Sequence, residues 1–306
     1  MRRISEIYEA LQNTQPKILA VASCADNAVL TAVREAKRRG LVQAHLYGDK
    51  EKTAAILREI GENPEDYILI QADDQKEAAA LAVKSVHDGQ SDILMKGLMD
   101  SGTFIKAVLN KENGLRKRGR VLSALSMVET VIEGREKLLF IADPGFIPQP
   151  SLEEKRQILV NTVEIMKVLG YEDPKVSILS FAETVNPKVA SSVEAGLLQE
   201  MAESGEITGC TVCGPLSLDL SVSRDSAKHK GVDNGVVGNA DLLLVPSLDV
   251  GNVLLKALTF IMGANCAGAV AGTTAPVVFT SRSDSAEVKC NTIAAAALIA
   301  ERGKHG

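Results

Sequence analysis

Short apolar runs recur along the first third of the chain, each followed by a longer stretch in which apolar residues return every three or four positions. Residues 17–23, 43–47, 67–70 and 91–95 have the first pattern and are predicted strands, because a brief apolar run between turn residues suits a strand buried on both faces. The intervening stretches read as helices. Asp26 is placed to cap one that stops at Gly40, with Arg34, Lys37, Arg38 and Arg39 crowded at its C-terminal end, and Asp49 to cap one that stops at Gly61. A third helix is predicted over 73–88. Strand and helix alternating across short connections is the pattern of a parallel, doubly wound α/β sheet.

The alternation resumes in a new register further on. A strand over 138–142 ends at Asp143, a loop with Pro144, Pro148 and Pro150 follows, and Ser151 with Glu154 forms a capping box that opens a helix running to Gly170. Beyond it come a strand over 175–180, a helix over 187–204, a strand over 242–245 between Asp241 and Pro246, and a helix starting at Gly251-Asn252. A strand over 276–280 and an alanine-rich helix from Ala286 complete the pattern.

Composition narrows the classes of function. With 306 residues, 45% hydrophobic and 24% charged, the chain is long enough for two cored domains. A net charge of −5 argues against non-specific nucleic-acid binding. No apolar run approaches the ~20 residues of a membrane helix, and the opening MRRISEIYEALQ has neither an h-region nor a cleavage site, so a cytoplasmic enzyme is expected. Cys24, Cys210, Cys213, Cys266 and Cys290 suit reduced thiols. Cys210 and Cys213 form a single C-x-x-C without a second pair, read as a strand with two small buried side chains. His45, His87, His229 and His305 are scattered, His229 in a solvated lysine-rich loop, and no metal is expected.

Three places carry candidate chemistry. After the fourth strand, Lys96, Gly97 and Thr103 fall in a loop with two glycines at a helix start, a plausible anion cradle; a capped helix with a surface lysine is the other reading. The first strand leads into ASCADNAV rather than G-x-G-x-x-G, which weakens any nicotinamide reading. Arg116, Lys117, Arg118 and Arg120 precede Ser123 and Ser126, a basic run that suits phosphoryl groups or is a solvated face. The strand over 276–280 ends at Ser281-Arg282-Ser283-Asp284-Ser285. There an arginine can grip two phosphate oxygens beside serine hydroxyls, or can merely pair with a surface acid at a capped helix.

Several phrases resemble one family. GPLSLDLSVS, KHKG, GNADLLLVPSLDVGN, PVVFTSRSDSAE and LMKGLMDSGTF look like signatures of the phosphate acetyl/butyryltransferases, which exchange an acyl group between coenzyme A and inorganic phosphate. The likeness runs from about Asp92 onward, and VFTSRSDS and NGVVGNAD are closer to the butyryl branch than to the acetyl branch. It implies two doubly wound α/β subdomains with an interdomain cleft, similar to isocitrate and isopropylmalate dehydrogenases. The subdomains are expected at 1–137 plus 282–306 and at 138–281, with crossings near Lys137 and Ser281. It also implies acyl-CoA and phosphate as substrates and no permanently bound cofactor; no nucleic-acid or membrane partner is expected, and the chain is expected to form a homodimer or higher homo-oligomer.

By the same resemblance Ser281 and Arg282 handle thiol and phosphate, while Gly214, Pro215, Asp219, Gly251, Asn252 and Lys256 join Lys96, Gly97, Thr103, Ser123 and Ser126 in binding substrate. The family's base is an aspartate about six residues after the arginine. Val288 stands there, which leaves Glu287, the favoured candidate, and Asp284. With few aromatics the acyl pocket is expected to be aliphatic, with Met95, Leu98, Met99 and Leu125 as candidates. A phosphate acetyltransferase, an inactive acyl-CoA- or phosphate-binding homologue, and a decarboxylating dehydrogenase that needs an aspartate cluster are the alternatives.

Overall fold

In the computed structural model, which describes residues 1–303, the chain divides into two units. The terminal unit comprises Ile7–Arg120 and the chain from Ala267 onward, and the central unit comprises Met1–Glu6 and Val121–Cys266. Both crossings fall earlier than the expected Lys137 and Ser281. The first does so because residues 123–132 form a strand missed in the sequence, which pairs with its successor as a hairpin and so carries its start into the central unit. The second does so because Val277–Val278 pairs with a strand of the terminal unit.

The terminal unit opens with α1 (Ser5–Ala10), whose first two residues lie in the other unit, and continues β1 (Lys17–Ala22), α2 (Asn27–Arg38), β2 (Val42–Gly48), α3 (Lys50–Glu59), β3 (Ile68–Gln71), α4 (Gln75–His87), β4 (Ile93–Lys96) and α5 (Ser101–Val108). Asp26, Asp49, Asp74 and Asp100 each cap the helix that follows by accepting a backbone N–H. Such caps are worth about 1 kcal/mol apiece, which explains the clean helix starts.

The central unit runs β5 (Ser123–Ile132), β6 (Arg135–Ala142), α6 (Leu152–Val168), β7 (Lys175–Leu179), α7 (Ala190–Glu203), β8 (Thr211–Leu216), α8 (Leu218–Val222), α9 (Arg224–Lys230), β9 (Leu242–Leu244) and α10 (Leu248–Lys256), extended by a π turn at Ala257–Ile261. The chain then leaves along β10 (Cys266–Ala271) and ends in β11 (Val277–Val278) and α11 (Ala286–Gly303) of the terminal unit. Among the described residues, no helix is long and apolar enough to cross a membrane.

The terminal sheet is parallel throughout, in the order β11-β4-β1-β2-β3. The chain builds outward from β1 to β3 and then returns to lay β4 on the other side of β1. That reversal opens a crevice beyond the carboxyl ends of β1 and β4, where ligands bind in sheets of this kind. Leu19, Val21, Leu46, Ile93, Leu94 and Met95 fill the sheet's interior. The small side chains Ala294–Ala297 are buried as well, and α11 lies against α2 and β11.

The central sheet has the order β10-β5-β6-β9-β7-β8, and its β5–β6 pair is antiparallel. Glu133 (φ 50°) and Gly134 (φ 74°) make the two-residue turn between them. Positive φ at both positions matches the twist of the flanking strands. The helix expected over 187–204 starts at Ala190, and the one expected at Gly251-Asn252 starts at Leu248, capped by Ser247. His229 lies in α9 rather than a loop, its Nδ1 bonded to the Asp225 carbonyl. Cys213 is in β8 and Cys210 just before it; both are half-buried free thiols rather than fully buried ones. His305 lies outside the described residues.

Candidate active site

The sharpest group of candidates gathers in the terminal unit, at the crevice beyond β1 and β4. Lys96, the last residue of β4, is 3% exposed. Its ammonium stands 5.5 Å from the centre of the Phe279 ring and, among the described residues, makes no ion pair or hydrogen bond. Burial holds its pKa below the ordinary lysine range, the charges of Arg282 and Lys289 push it the same way, and Asp100 and Asp284 oppose them. A cation taken out of water without a carboxylate partner is costly by several kcal/mol. The reading of Lys96 as a surface lysine is therefore wrong.

Five backbone amides of the loop after Lys96 and the helix start are already bonded within the chain. Gly97 N–H donates to Ala22, Leu98 to Ser23 and Met99 to Gly97, while the Asp100 amide donates to Gln75 Oε1. At the helix start, Thr103 N–H is taken by Asp100 Oδ2 at 2.8 Å. The amides of Gly97 and Leu98 hold the loop against the turn after β1. There Ser23 adopts a left-handed φ of 56°, and its hydroxyl donates to the Leu98 carbonyl at 2.9 Å. Gly97 is required because a Cβ on it would lie 2.2 Å from the Ser23 carbonyl oxygen.

Arg282 is exposed and has no ion-pair partner among the described residues, so it is not tied to a surface acid. Its charge is felt by both Lys96 and Asp100. The turn that presents it is built from its own residues. Asp284 Oδ2 accepts Ser281 N–H at 2.8 Å, the Ser281 and Ser283 hydroxyls are 3.0 Å apart, and Ser285 Oγ caps α11 through Val288 N–H.

Lys289, a residue the sequence reading passed over, anchors that turn. It is 4% exposed, and its ammonium donates to the carbonyls of Ser281, at 3.1 Å, and Asp284. Burial lowers its pKa, and the charges of Asp284 and Asp26 work against that. The available signal was a lone lysine within the alanine-rich helix, four residues after the capping serine.

Glu287, the favoured base, does not join the group. Two residues before Lys289, it lies about 200° away around the helix. Its charge acts instead on Tyr8 and Cys290, where the Tyr8 hydroxyl donates to Asn291 Oδ1 at 2.7 Å. Asp284 is the candidate carboxylate that Lys96 and Lys289 both feel. The expected acyl-pocket residues scatter too: Met95 and Met99 are in the terminal core, Leu125 is in the central unit's core, and Leu98 is exposed.

In the central unit, candidates gather around Asp143, which is buried at the end of β6. Its carboxylate accepts N–H groups from Ala124 (2.9 Å), Gly145 (3.0 Å), Phe146 (3.1 Å) and Ile147 (2.9 Å). Burial raises its pKa and these four donors pull it back. Ser123, at the head of β5, is buried with its hydroxyl unpartnered, and Ser126 is buried nearby on the same strand. Gly251 lets α10 close on this turn, since a Cβ would lie 3.0 Å from Pro144 Cα, and Asn252 Nδ2 donates to the Pro144 carbonyl at 3.4 Å. Gly251 N–H is already bonded to the Ser247 carbonyl, so the expected free helix start is absent at that residue.

The remaining candidates lie elsewhere in this unit. Gly214 and Pro215 are buried in β8, where a Cβ on Gly214 would strike Ile178, while Asp219 is exposed and paired with Lys230, which also holds Glu183. Lys256 lies over the Phe260 ring at 4.8 Å. Among the described residues, no three His, Cys, Asp or Glu side chains are grouped so as to hold a metal ion.

Residues 68–297 match the family described as Phosphate acetyl/butaryl transferase. The chain belongs to that family and is an acyltransferase. A phosphate butyryltransferase of Clostridium acetobutylicum is 41% identical over 300 residues, covering 98% of this chain and 99% of that one. A phosphate acetyltransferase of Thermotoga maritima is 38% identical, over 93% and 95%. The crystal structure of a branched-chain phosphotransacylase from Enterococcus faecalis V583 superposes with a TM-score of 0.81 at 32% identity, over 93% of this chain and 99% of that one. A 4-hydroxythreonine-4-phosphate dehydrogenase from Klebsiella pneumoniae, with a TM-score of 0.57 at 10% identity over 94% and 100%, shares the fold alone. Both subdomains have the α/β build that family membership implied.

Two outcomes test the terminal-unit site. Only a charged Lys96 attracts an anion, and burial lowers its pKa below 10.5, so affinity is present at neutral pH and lost as pH rises through that lowered value. The KM for phosphate should climb on the alkaline side for the wild type and stay flat for Lys96→Arg, whose guanidinium remains charged; superimposable profiles remove Lys96 from the site. Lys289→Met, which keeps the stem and deletes the donor, should lower kcat about tenfold or more with KM nearly unchanged, because the turn loses its fixed geometry. An unchanged kcat would leave Lys289 a packing residue.

Proposed function

We propose that this protein exchanges a butyryl or similarly short or branched acyl group between coenzyme A and inorganic phosphate, giving an acyl phosphate. The observation that carries the reading is the buried ammonium of Lys96, in the same field as the Arg282 guanidinium, neither with a carboxylate partner among the described residues. The butyryl and branched-chain names of several relatives support the choice of acyl group. In the forward direction a phosphate oxygen attacks the thioester carbonyl and the carbon–sulfur bond breaks; in reverse the thiol sulfur attacks the acyl phosphate and the carbon–oxygen bond breaks.

Lys96 and Arg282 hold phosphate oxygens, Arg282 through its two-pronged fork. Charge accumulates on those oxygens as the acyl–oxygen bond breaks, so the same contacts strengthen in the transition state. The Ser281 hydroxyl serves the thiol. A thiol of pKa near ~8.5 is only a few per cent ionised at neutral pH, so a proton acceptor is needed. We assign that role to Asp284 in place of Glu287, because Asp284 shares the turn with Ser281 and Arg282. Coenzyme A is a substrate here, and the scheme calls for no permanently bound cofactor.

The central unit exposes Val253, Phe260 (61%), Ile261 (80%) and Met262 (74%) on α10 and its π turn. A run of large apolar groups left in water is unfavourable for a lone chain. We assign it to contact with a second copy, in which the same patch meets itself across a two-fold axis.

The decisive assay follows free thiol released from acyl-CoA on addition of phosphate. Release should depend on phosphate, be faster in kcat/KM with butyryl- or isobutyryl-CoA than with acetyl-CoA, and fall by about 10² or more in Arg282→Ala and Arg282→Lys with folding intact. No phosphate-dependent release by the wild type would reduce the protein to a binding homologue, and acetyl-CoA as the better substrate would replace butyryl by acetyl. Sedimentation should find the wild type at twice the 32.5 kDa chain mass and Phe260→Asp/Met262→Asp shifted to the monomer. A monomeric wild type refutes the assembly.

A further inference from the structure

The central unit holds a cavity at the end of its sheet where β6 and β9 begin, the opposite end of those strands from Asp143 and Val245. It measures about 680 Å³, within the range of about 300–1,000 Å³ typical of small-molecule sites. Its charged lining is Arg2, Arg135, Lys137 and Arg224 against Glu136 and Asp241. Four cations less two acids leave +2, in a chain whose net charge is −5. This excess is local and needs a cause.

The acids are already engaged. Asp241 Oδ1 is 2.8 Å from Lys137 Nζ, which also donates to the Asn239 carbonyl at 2.8 Å. Glu136 is turned to Arg3, which lies outside the lining. Arg135 is held by Glu133 at 3.0 Å. Arg2 and Arg224 have no ion-pair partner among the described residues, and both are exposed to the cavity's solvent. The charges of Arg135 and Arg224 both bear on Lys137, so three cations share one field.

The arrangement is also built rather than loose. Glu133, in the hairpin turn, accepts the Ser223 hydroxyl at 2.6 Å and Asp225 N–H at 3.1 Å, which pins the start of α9 and with it Arg224. Gly238 (φ 66°) allows the chain to pass there, since a Cβ on it would lie 2.8 Å from Arg224 Cα. The same carboxylate thus sets Arg135 and Arg224 on the rim. Guanidinium forks are the groups that match phosphate and carboxylate geometry.

We propose that this cavity binds a small metabolite carrying two or more negative charges, phosphorylated or polycarboxylate, apart from the residues that transfer the acyl group. None of its lining residues belongs to the groups around Lys96 or Asp143, so the inference stands whichever acyl group is transferred.

The test is calorimetric titration of the intact protein, at constant ionic strength, with inorganic tripolyphosphate and with citrate as separate probes. The wild type and Arg282→Ala should bind at least one of them alike. The pair Arg2→Ala/Arg224→Ala should bind at least tenfold more weakly, with an unchanged melting temperature because neither arginine has an internal ion pair to lose; Arg2→Gln/Arg224→Gln serves if the alanine pair unfolds early. The two probes separate a phosphate site from a carboxylate site. The proposal is overturned if wild type binds neither probe, if Arg2→Ala/Arg224→Ala binds as wild type does, or if Arg282→Ala alone abolishes binding.

Discussion

Much of the terminal unit turns on one close approach. Gly97 passes so near the turn after β1 that a methyl group would lie 2.2 Å from the Ser23 carbonyl oxygen and 2.6 Å from that of Ala22. Only hydrogen fits. Because it fits, the loop after β4 bonds edge to edge with the turn after β1, and the crevice at the reversal of strand order keeps a fixed floor. The left-handed Ser23 is part of the same bargain, since a non-glycine residue in that conformation persists only where surrounding bonds hold it.

On that floor the charges are arranged unequally. Lys289 spends its ammonium on two carbonyls, and the turn bearing Ser281 and Arg282 keeps its shape. Among the described residues, neither Lys96, which stands over the Phe279 ring, nor Arg282 has a carboxylate partner. Asp100 and Asp284 each accept a backbone amide, and their charges moderate the positive field at Lys96. A buried network in which one cation stays unsatisfied is a poor stability device. It is a good receptor for an oxyanion, and that contrast separates Lys96 from buried lysines such as Lys155, which is paired with Glu194.

The central unit uses backbone amides in the same sense. Four N–H groups converge on the Asp143 carboxylate, so an internal side chain fills what looks like an anion nest and fixes the turn from Pro144 to Ile147. Gly251 then lets α10 close on that turn. Amides in this unit position structure, as they do in the Lys96 loop.

Periodicity and capping chemistry were legible in the chain by itself: the βα alternation, the caps at Asp26 and Asp49 and the Ser151–Glu154 box are local signals acting within a few residues, whereas the last strand, expected over 276–280, is only Val277–Val278. The phrase around Arg282 likewise marked its neighbourhood. Partnership was not legible, because it joins residues far apart in sequence. Whether Lys96 is buried and unpaired, whether Glu287 or Asp284 faces the cations, and whether Thr103 N–H is free depend on which helix face turns inward and which amides neighbouring loops consume. The β5–β6 hairpin escaped notice because Glu133-Gly134 is an uncommon turn pair, tolerated through bonds from Glu133 to Ser223 and Asp225 some ninety residues away. Local propensity specified the elements; burial and long-range hydrogen bonds, which only the folded chain brings into being, decided which side chains remain available for chemistry.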